Sequence, residues 1–357
     1  MPRLTPELMQ HFLKKEGWET RKDIYRKYHD QPEWLAKGNV IILHGYRGHV
    51  RAPHFKGLAN AFDDASFNVA TCDLPNFGKS EPKDPKWRGQ IPSFALLVKV
   101  AKGMTYADLT SKTKHNKPIV IIGYSVGALT IMRFLQTYPY IQKYIAGAVF
   151  ISVPLRVEQN ADPKILKYRR VIEPFFGMFA RARPHWSVAK YEPDEFSADD
   201  PMHFKGDMEA VTANQIRKAS KAARGRLERI RLPVLFVHGE EDHIAPLDAM
   251  EEAYAMISTP PEQKKKIIYR AVDHYVLQRQ KHSIDDIVAW AKMITENTPK
   301  KEIAEDDFAN GLVVRRGRQL FFIFFCIITM LLDWFSEVLL EAWNALRAWY
   351  KNKFTSP

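Results

Sequence analysis

The chain predicts an α/β fold: a mostly parallel central sheet flanked by helices and interrupted by an inserted helical cap. Three observations carry that expectation. Short β-branched runs alternate with longer helical patterns as far as about Glu296, the signature of strands joined by crossover helices. Several of those runs are continuously apolar, as strands buried on both faces must be. The regular spacing then breaks once, between Ser152 and Val234, where roughly eighty residues replace the ~10–15 of an ordinary crossover.

Taken in order, the polar, alternating Arg21–His29 reads as an antiparallel strand, because no crossover fits between it and the next run. The remaining strands are Asn39–Leu43 (NVIIL), Phe67–Cys72, Ile119–Gly123 (IVIIG), Ala148–Ser152 (AVFIS), Val234–Val237 (VLFV) and Lys266–Tyr269. Leu155–Arg229 holds helical patches, VIEPFFGMFARARPHW and the Ala/Arg/Lys-rich Ala213–Arg229, with no convincing strand. It reads as a helical cap over the C-terminal edge of the sheet. The expected organisation is a core in two parts, 1–154 and 231–296, split by a cap over 155–230, with a linker over 297–314 and a tail over 315–357.

With 357 residues, 46% hydrophobic and 26% charged, the chain can build a sizeable core and is neither disordered nor collagen-like. Lys+Arg 53 against Asp+Glu 41 leaves a net +12, which suits anionic partners such as phospholipid surfaces. No recognition motif accompanies the charge, so nucleic acid is not expected. Cys72 and Cys326 make no disulfide framework and have no metal-ligand spacing. The N-terminal MPRLTPELMQHFLKKEGWE lacks a continuous apolar segment, so the expected setting is intracellular and reducing rather than secreted.

Chemistry enters at Gly123-Tyr124-Ser125-Val126-Gly127, which follows the IVII run directly and precedes a helical pattern, Ala128–Thr137. That strand–turn–helix context makes G-x-S-x-G informative: a tight, strained turn lifts the serine Oγ above the sheet, and the glycines relieve collisions between strand and helix backbones. Ser125 is the candidate nucleophile. A serine needs a base, and the base needs an orienting group. Val234–Val237 runs into a turn ending in Asp242, and Asp273-His274-Tyr275 follows the next strand, giving the order Ser, Asp, His. His274 is the candidate base and Asp242 the group that fixes its tautomer. The developing oxyanion needs donors already aimed at it. Glycines in the turn His44-Gly45-Tyr46-Arg47-Gly48-His49 free backbone N–H groups for that task, and the N–H groups of Tyr46 and Val126 are assigned to it. His44, His49 and His54 do not match compact metal-ligand pairs, and neither a metal nor another cofactor is expected.

On His44-Gly45-x-x-Gly48-His49, Asp73–Ser80, Gly123–Gly127, His238-Gly-x-x-Asp242 and His274-x-Val-Leu, the chain resembles the α/β-hydrolase fold of the monoacylglycerol lipase and lysophospholipase group over about Lys14–Glu296. The resemblance implies Ser125, Asp242 and His274 as a triad, Tyr46 and Val126 as oxyanion donors, and a cap before the acid-bearing strand. Two positions depart from the family's pattern. Asn76-Phe77-Gly78 replaces the usual Gly-His-Gly, and Tyr124 stands where histidine is common. A serine at the turn argues against epoxide hydrolase and haloalkane dehalogenase chemistry, whose members on this fold use aspartate there. The expected activity is hydrolysis of carboxylic esters of single-chain lipids. A lipid acyltransferase on the same triad and a catalytically silent binding protein are the alternatives. His243-x4-Asp248 has a spacing associated with some acyltransferases but lies in the acid turn and is read as accidental.

Phe175, Phe176, Met178 and Phe179 precede Arg181 and Arg183; they form either a lipid-entry lip or packing between cap and sheet. The uncharged run Leu320–Leu332 extends about 20 Å as a helix, short of a ~30 Å hydrocarbon core. Asp333, Glu337, Glu341 and Lys351 then recur at helical spacing, with Trp334, Val338, Trp343 and Tyr350 largely elsewhere on the wheel. The tail is expected to bind the cytosolic face of a membrane through this segment and its flanking Arg315, Arg316 and Arg318. A full span burdened by its acids, or a docking or dimerisation helix, are the other readings.

Overall fold

The computed structural model describes residues 26–111, 116–157 and 169–298. The stretches before and between these, most of the expected linker and the whole tail 315–357 lie outside the described residues. Among the described residues no helix is long and apolar enough to cross a membrane.

The core is a seven-stranded sheet made of β1 (Arg26–His29), β2 (Gly38–Leu43), β3 (Phe67–Cys72), β4 (Ile119–Tyr124), β5 (Ile145–Ile151), β8 (Val234–Gly239) and β9 (Lys264–Tyr269). Their spatial order is β1-β3-β2-β4-β5-β8-β9. Only β1 runs antiparallel, along β3; the other pairs are parallel. The expected strands are all present, five of them longer at one end than expected and the first seen from Arg26 on, residues 21–25 lying outside the described ones. The apolar runs β2 to β5 and β8 are fully buried, which is why they read as continuous rather than alternating. Edge strand β9 begins with Lys264, Lys265 and Lys266, charges that blunt an otherwise open edge.

Alternation along the strands divides the core between the two faces. Val40, Ile42, Val120, Ile122, Val149 and Val237 pack with Phe55, Leu58 and Phe62 of α1 (Pro53–Asp64) and with Ile287, Trp290 and Ala291 of α6 (Ser283–Glu296). A side chain at Gly147 would meet the Trp290 ring at 2.6 Å, so glycine lets α6 lie close on β5. Phe150 and Phe236, rings 5.1 Å apart, are excluded from that cluster and fill the opposite side. There α2 (Phe94–Thr110) packs on α3 (Val126–Thr137), which lies against β4 and β5.

The insertion between β5 and β8 carries α4 (Arg169–Ala182), a ribbon of β6 (Ser187–Ala189) and β7 (Met208–Glu209), and α5 (Ala210–Arg224). The ribbon corrects the expectation of an insertion without strands: β6 is a short, exposed strand with no apolar alternation to betray it. Helix α5 docks on the core. Gln136 of α3 donates to the Ala223 and Arg226 carbonyls, and the Thr212 hydroxyl accepts from Ile91 N–H.

Strand order reverses between β2 and β4: β2 leads to β3 on one side and β4 leads to β5 on the other. Crevices at such switch points, outside the carboxyl ends of the strands, are where open α/β sheets bind ligands.

Candidate active site

Ser125 caps the end of β4 with φ 51° and ψ −117°, a region costly for any L-residue and occupied only when surroundings enforce it. Its N–H donates to Ile151 O at 2.8 Å, and its carbonyl accepts from Leu129 N–H at 3.0 Å. The glycines on either side are sterically required. A Cβ on Gly123 would lie 2.5 Å from the Ala128 backbone, and one on Gly127 would lie 2.3 Å from Leu43 O. The elbow is thus pressed between α3 and β2.

His274, following β9, reaches Ser125 Oγ with Nε2 at 3.0 Å. Its Nδ1 lies 2.8 Å from Asp242 Oδ2. All three residues are buried. The other oxygen of Asp242 accepts from Ile244 N–H at 2.9 Å and Ala245 N–H at 2.7 Å. Burial alone would raise the Asp242 pKa, but the hydrogen bond and charge of His274, with the Ala245 N–H and His238, outweigh it and hold the carboxyl below its ordinary value. An ionised carboxylate only accepts, so Nδ1 of His274 carries the proton and Nε2 is left to accept from Ser125. His238 lies under the same turn, Nε2 donating to Ala245 O at 2.7 Å, and burial depresses its pKa.

The loop after β2 closes the other side. A Cβ on Gly45 would lie 3.2 Å from Ser125 Cβ, so the peptide that carries the Tyr46 N–H passes directly over the nucleophile. Among the described residues neither the Tyr46 nor the Val126 N–H is taken by a backbone acceptor. The loop is held from beneath by His44 and Asp73, which lie in motifs quoted from the sequence but had no role assigned there. His44 accepts from Leu74 N–H at Nε2 and donates from Nδ1 to Gly45 O, both at 2.7 Å. Burial drops its pKa to about 4, which keeps that donor–acceptor arrangement neutral. Asp73 accepts from Val50 N–H and Lys79 N–H, both at 2.7 Å, and pairs with Arg51 at 3.1 Å. This binds the loop after β2 to the loop after β3. Both polar residues are buried, and the signal the sequence offered was a polar residue directly after an apolar strand run.

The structure therefore brings Ser125, Asp242, His274, Tyr46 and Val126 together. Phe175, Phe176, Met178 and Phe179 lie elsewhere, on α4. Their ring contacts are Phe176 with Phe179 at 6.3 Å, Phe179 with Trp186 at 5.7 Å, and Arg217 over Phe176 at 5.8 Å. Phe175 and Met178 are 59% and 69% exposed, so they do not pack the cap onto the sheet. Asp248 bonds to Arg156 on an exposed surface, which removes the His243-x4-Asp248 spacing from the catalytic machinery.

The profile of the family described as Hydrolase_4: Serine aminopeptidase, S33 matches residues 35–281, well over half of the chain. The chain belongs to that family. This S33-family member is a serine hydrolase, as the resemblance drawn from its motifs implied. It is 22% identical over 274 residues to a monoacylglycerol lipase of Mycolicibacterium smegmatis, covering 72% of this chain and 89% of the relative. It is 22% identical over 277 residues to a putative monoglyceride lipase of Schizosaccharomyces pombe, covering 75% and 71%. Its fold is similar to the crystal structure of Paleococcus ferrophilus monoacylglycerol lipase, with a TM-score of 0.61 at 20% identity, over 76% of this chain and 99% of the other. The α/β-hydrolase fold is thereby established for the family member described above.

Proposed function

We propose that this S33-family hydrolase cleaves the carboxylic ester of a single-chain lipid, of the monoacylglycerol or lysophospholipid kind, through an acyl-enzyme on Ser125. The observation that carries the reading is the unbroken relay from Asp242 Oδ2 through His274 to Ser125 Oγ, with spacings of 2.8 and 3.0 Å. Ser125 Oγ attacks the ester carbonyl as its proton passes to His274 Nε2, and Asp242 stabilises the resulting imidazolium. Negative charge collects on the carbonyl oxygen, which the Tyr46 and Val126 N–H groups receive. Collapse expels the alcohol, which takes the proton from His274. Water then attacks the acyl-enzyme, giving its proton to His274, and the fatty acid leaves as Ser125 recovers its hydrogen.

The lipid assignment rests on the kind of relatives the chain has and on the exposed apolar face of α4. Phe175 and Met178 lie there beside Arg181 and Arg183, a surface suited to an acyl chain and its anionic surroundings. The tail 315–357 is proposed to hold the enzyme at a membrane surface.

A fluorophosphonate probe should label the wild type and not Ser125→Ala. Equal labelling of the two would remove the nucleophile from Ser125. Product analysis on mono-, di- and lysophospholipid esters, with and without acceptor alcohol, should return free fatty acid from single-chain substrates. Transfer to the alcohol as the main product would replace hydrolysis by acyl transfer. Deleting 315–357 should release the protein from sedimented membranes.

A further inference from the structure

Residues 190–207, between β6 and β7, contain turns but neither helix nor strand, and they bridge the two loops on which the proposed triad chemistry depends. At one end the segment grips the His274 loop. Tyr275 Oη donates to Asp194 Oδ2 at 2.8 Å, Arg279 pairs with Glu195 at 2.7 Å, and the Phe196 ring lies 5.4 Å from that of Tyr275. At the other end it grips the loop after β2. His49 Nε2 lies 2.7 Å from Asp200 Oδ2. Phe204 N–H donates to Arg47 O at 3.0 Å, while the Arg47 guanidinium donates to the Phe204 and Gly206 carbonyls.

The second grip is built rather than incidental. His49 Nδ1 accepts from Arg51 N–H at 3.2 Å, so its proton sits on Nε2 and is donated to the Asp200 carboxylate. The His49 and Asp200 side chains are 3% and 15% exposed. The other oxygen of Asp200 accepts from Met202 N–H at 2.9 Å and His203 N–H at 3.3 Å, which folds the segment around the carboxylate. Phe204 seats the segment against the loop after β3, for a Cβ on Gly89 would collide with its ring.

Arg47 follows the Tyr46 donor and has φ 66°, a conformation that L-residues other than Asn and Asp rarely adopt unless their surroundings hold them there. The holding groups are those of the 190–207 segment. Arg47 and His49 both face it, and the Tyr46 peptide hangs between their attachments and the buried His44 beneath.

We propose that Arg47, His49 and Asp200 are positioning residues that act through Tyr46: the 190–207 segment clamps the loop after β2 so that the Tyr46 N–H is aimed at the developing oxyanion. The inference rests on the serine-hydrolase mechanism given above. It means that the cap insertion completes the oxyanion site, and that the oxyanion donor and the His274 loop are set by one segment.

The test uses the full-length protein and a short, water-soluble p-nitrophenyl ester. His49→Ala and Asp200→Ala should each lower kcat about 10- to 100-fold, part of what loss of an oxyanion donor costs, with KM changed less than ~3-fold. The double variant should match the worse single variant, since both remove one link. Affinity for a trifluoromethyl ketone, which forms a tetrahedral adduct on the serine, should fall in parallel with kcat/KM. Arg47→Gly, free to keep a positive φ, should retain more activity than Arg47→Ala. If Asp200→Ala does not fold, Asp200→Asn keeps an oxygen for the Met202 and His203 N–H groups and should show a smaller loss of the same kind. Unchanged kcat in the single variants, or multiplicative losses in the double, overturns the positioning role while fluorophosphonate labelling of Ser125 leaves the hydrolase reading standing. A wild type that neither labels nor hydrolyses overturns both.

Discussion

The phenolic hydroxyl of Tyr124 donates to the main-chain carbonyl of His274 at 2.9 Å, so the residue before the elbow serine holds the loop that carries the imidazole. Ser152 Oγ donates to the same carbonyl at 3.2 Å. Tyr124 pairs with Ile151 across β4 and β5, so two neighbouring strand ends grip one peptide of the His274 loop. Burial, then the nearby Tyr275 and Asp242, push the Tyr124 pKa up, which keeps the hydroxyl a donor throughout the working range.

Tyr124→Phe keeps the ring and removes the donor, leaving Ser152 alone on the carbonyl. One hydrogen bond contributes about 1 kcal/mol, so kcat should fall about 3- to 10-fold at constant KM. Steady-state kinetics beside thermal unfolding decide the matter. A lower Tm with unaltered kcat would mean that the hydroxyl only stabilises the fold.

Asp242→Asn preserves shape while removing the charge that fixes the His274 tautomer. With Nδ1 no longer held as the donor, Nε2 is no longer reserved as an acceptor for Ser125 Oγ. The expected loss in kcat is about two to four orders of magnitude, measured with the soluble ester at saturating concentration. A loss below tenfold would show that another group orients the imidazole.

Gly127→Ala tests the elbow's packing. The new methyl would sit 2.3 Å from Leu43 O and 2.6 Å from His44 O, contacts made to backbone that no rotamer change relieves. The expected destabilisation is about 3 kcal/mol or more, read as a reduced urea midpoint or failure to accumulate folded protein. A variant with wild-type stability would show that α3 and β2 shift apart freely.

What was legible in the chain follows from where the physics is local. Buried strands such as Val40–Leu43 and Ile119–Ile122 announce themselves as apolar runs, and Ser125, Asp242 and His274 each follow a strand end. The His49–Asp200 pair, separated by 151 residues, has no such signature, because polar residues in an irregular segment carry no period. The α4 stripe shows a different limit. Phe175 and Met178 recur at the spacing of an amphipathic helix whether that face meets a core or, as here, remains exposed. Helix α5 begins at Ala210 and ends at Arg224 before Gly225, a few residues from the expected Ala213–Arg229, because its ends are set by the ribbon and by Gly225 rather than by its Ala-rich body.

His44 ties the oxyanion loop to pH. Burial first, and then neighbouring histidines against the opposing pull of Asp73 and Gly45 O, lower its pKa from 6.5 to about 4. The unfolded chain therefore takes up a proton before the folded one does. Stability owed to neutral His44 is fully present above about pH 6.5 and drains as pH falls toward about 4, at about 1.4 kcal/mol per pH unit within that window. Urea midpoints measured at pH 7.5, 6 and 5 should decline accordingly, by ~2 kcal/mol from this group at the lowest of these. His44→Gln, which cannot titrate there, should be less stable at pH 7.5 but lose less on acidification. If its slope against pH equals that of the wild type, His44 is not the group being titrated, and the loop owes its acid sensitivity to another residue.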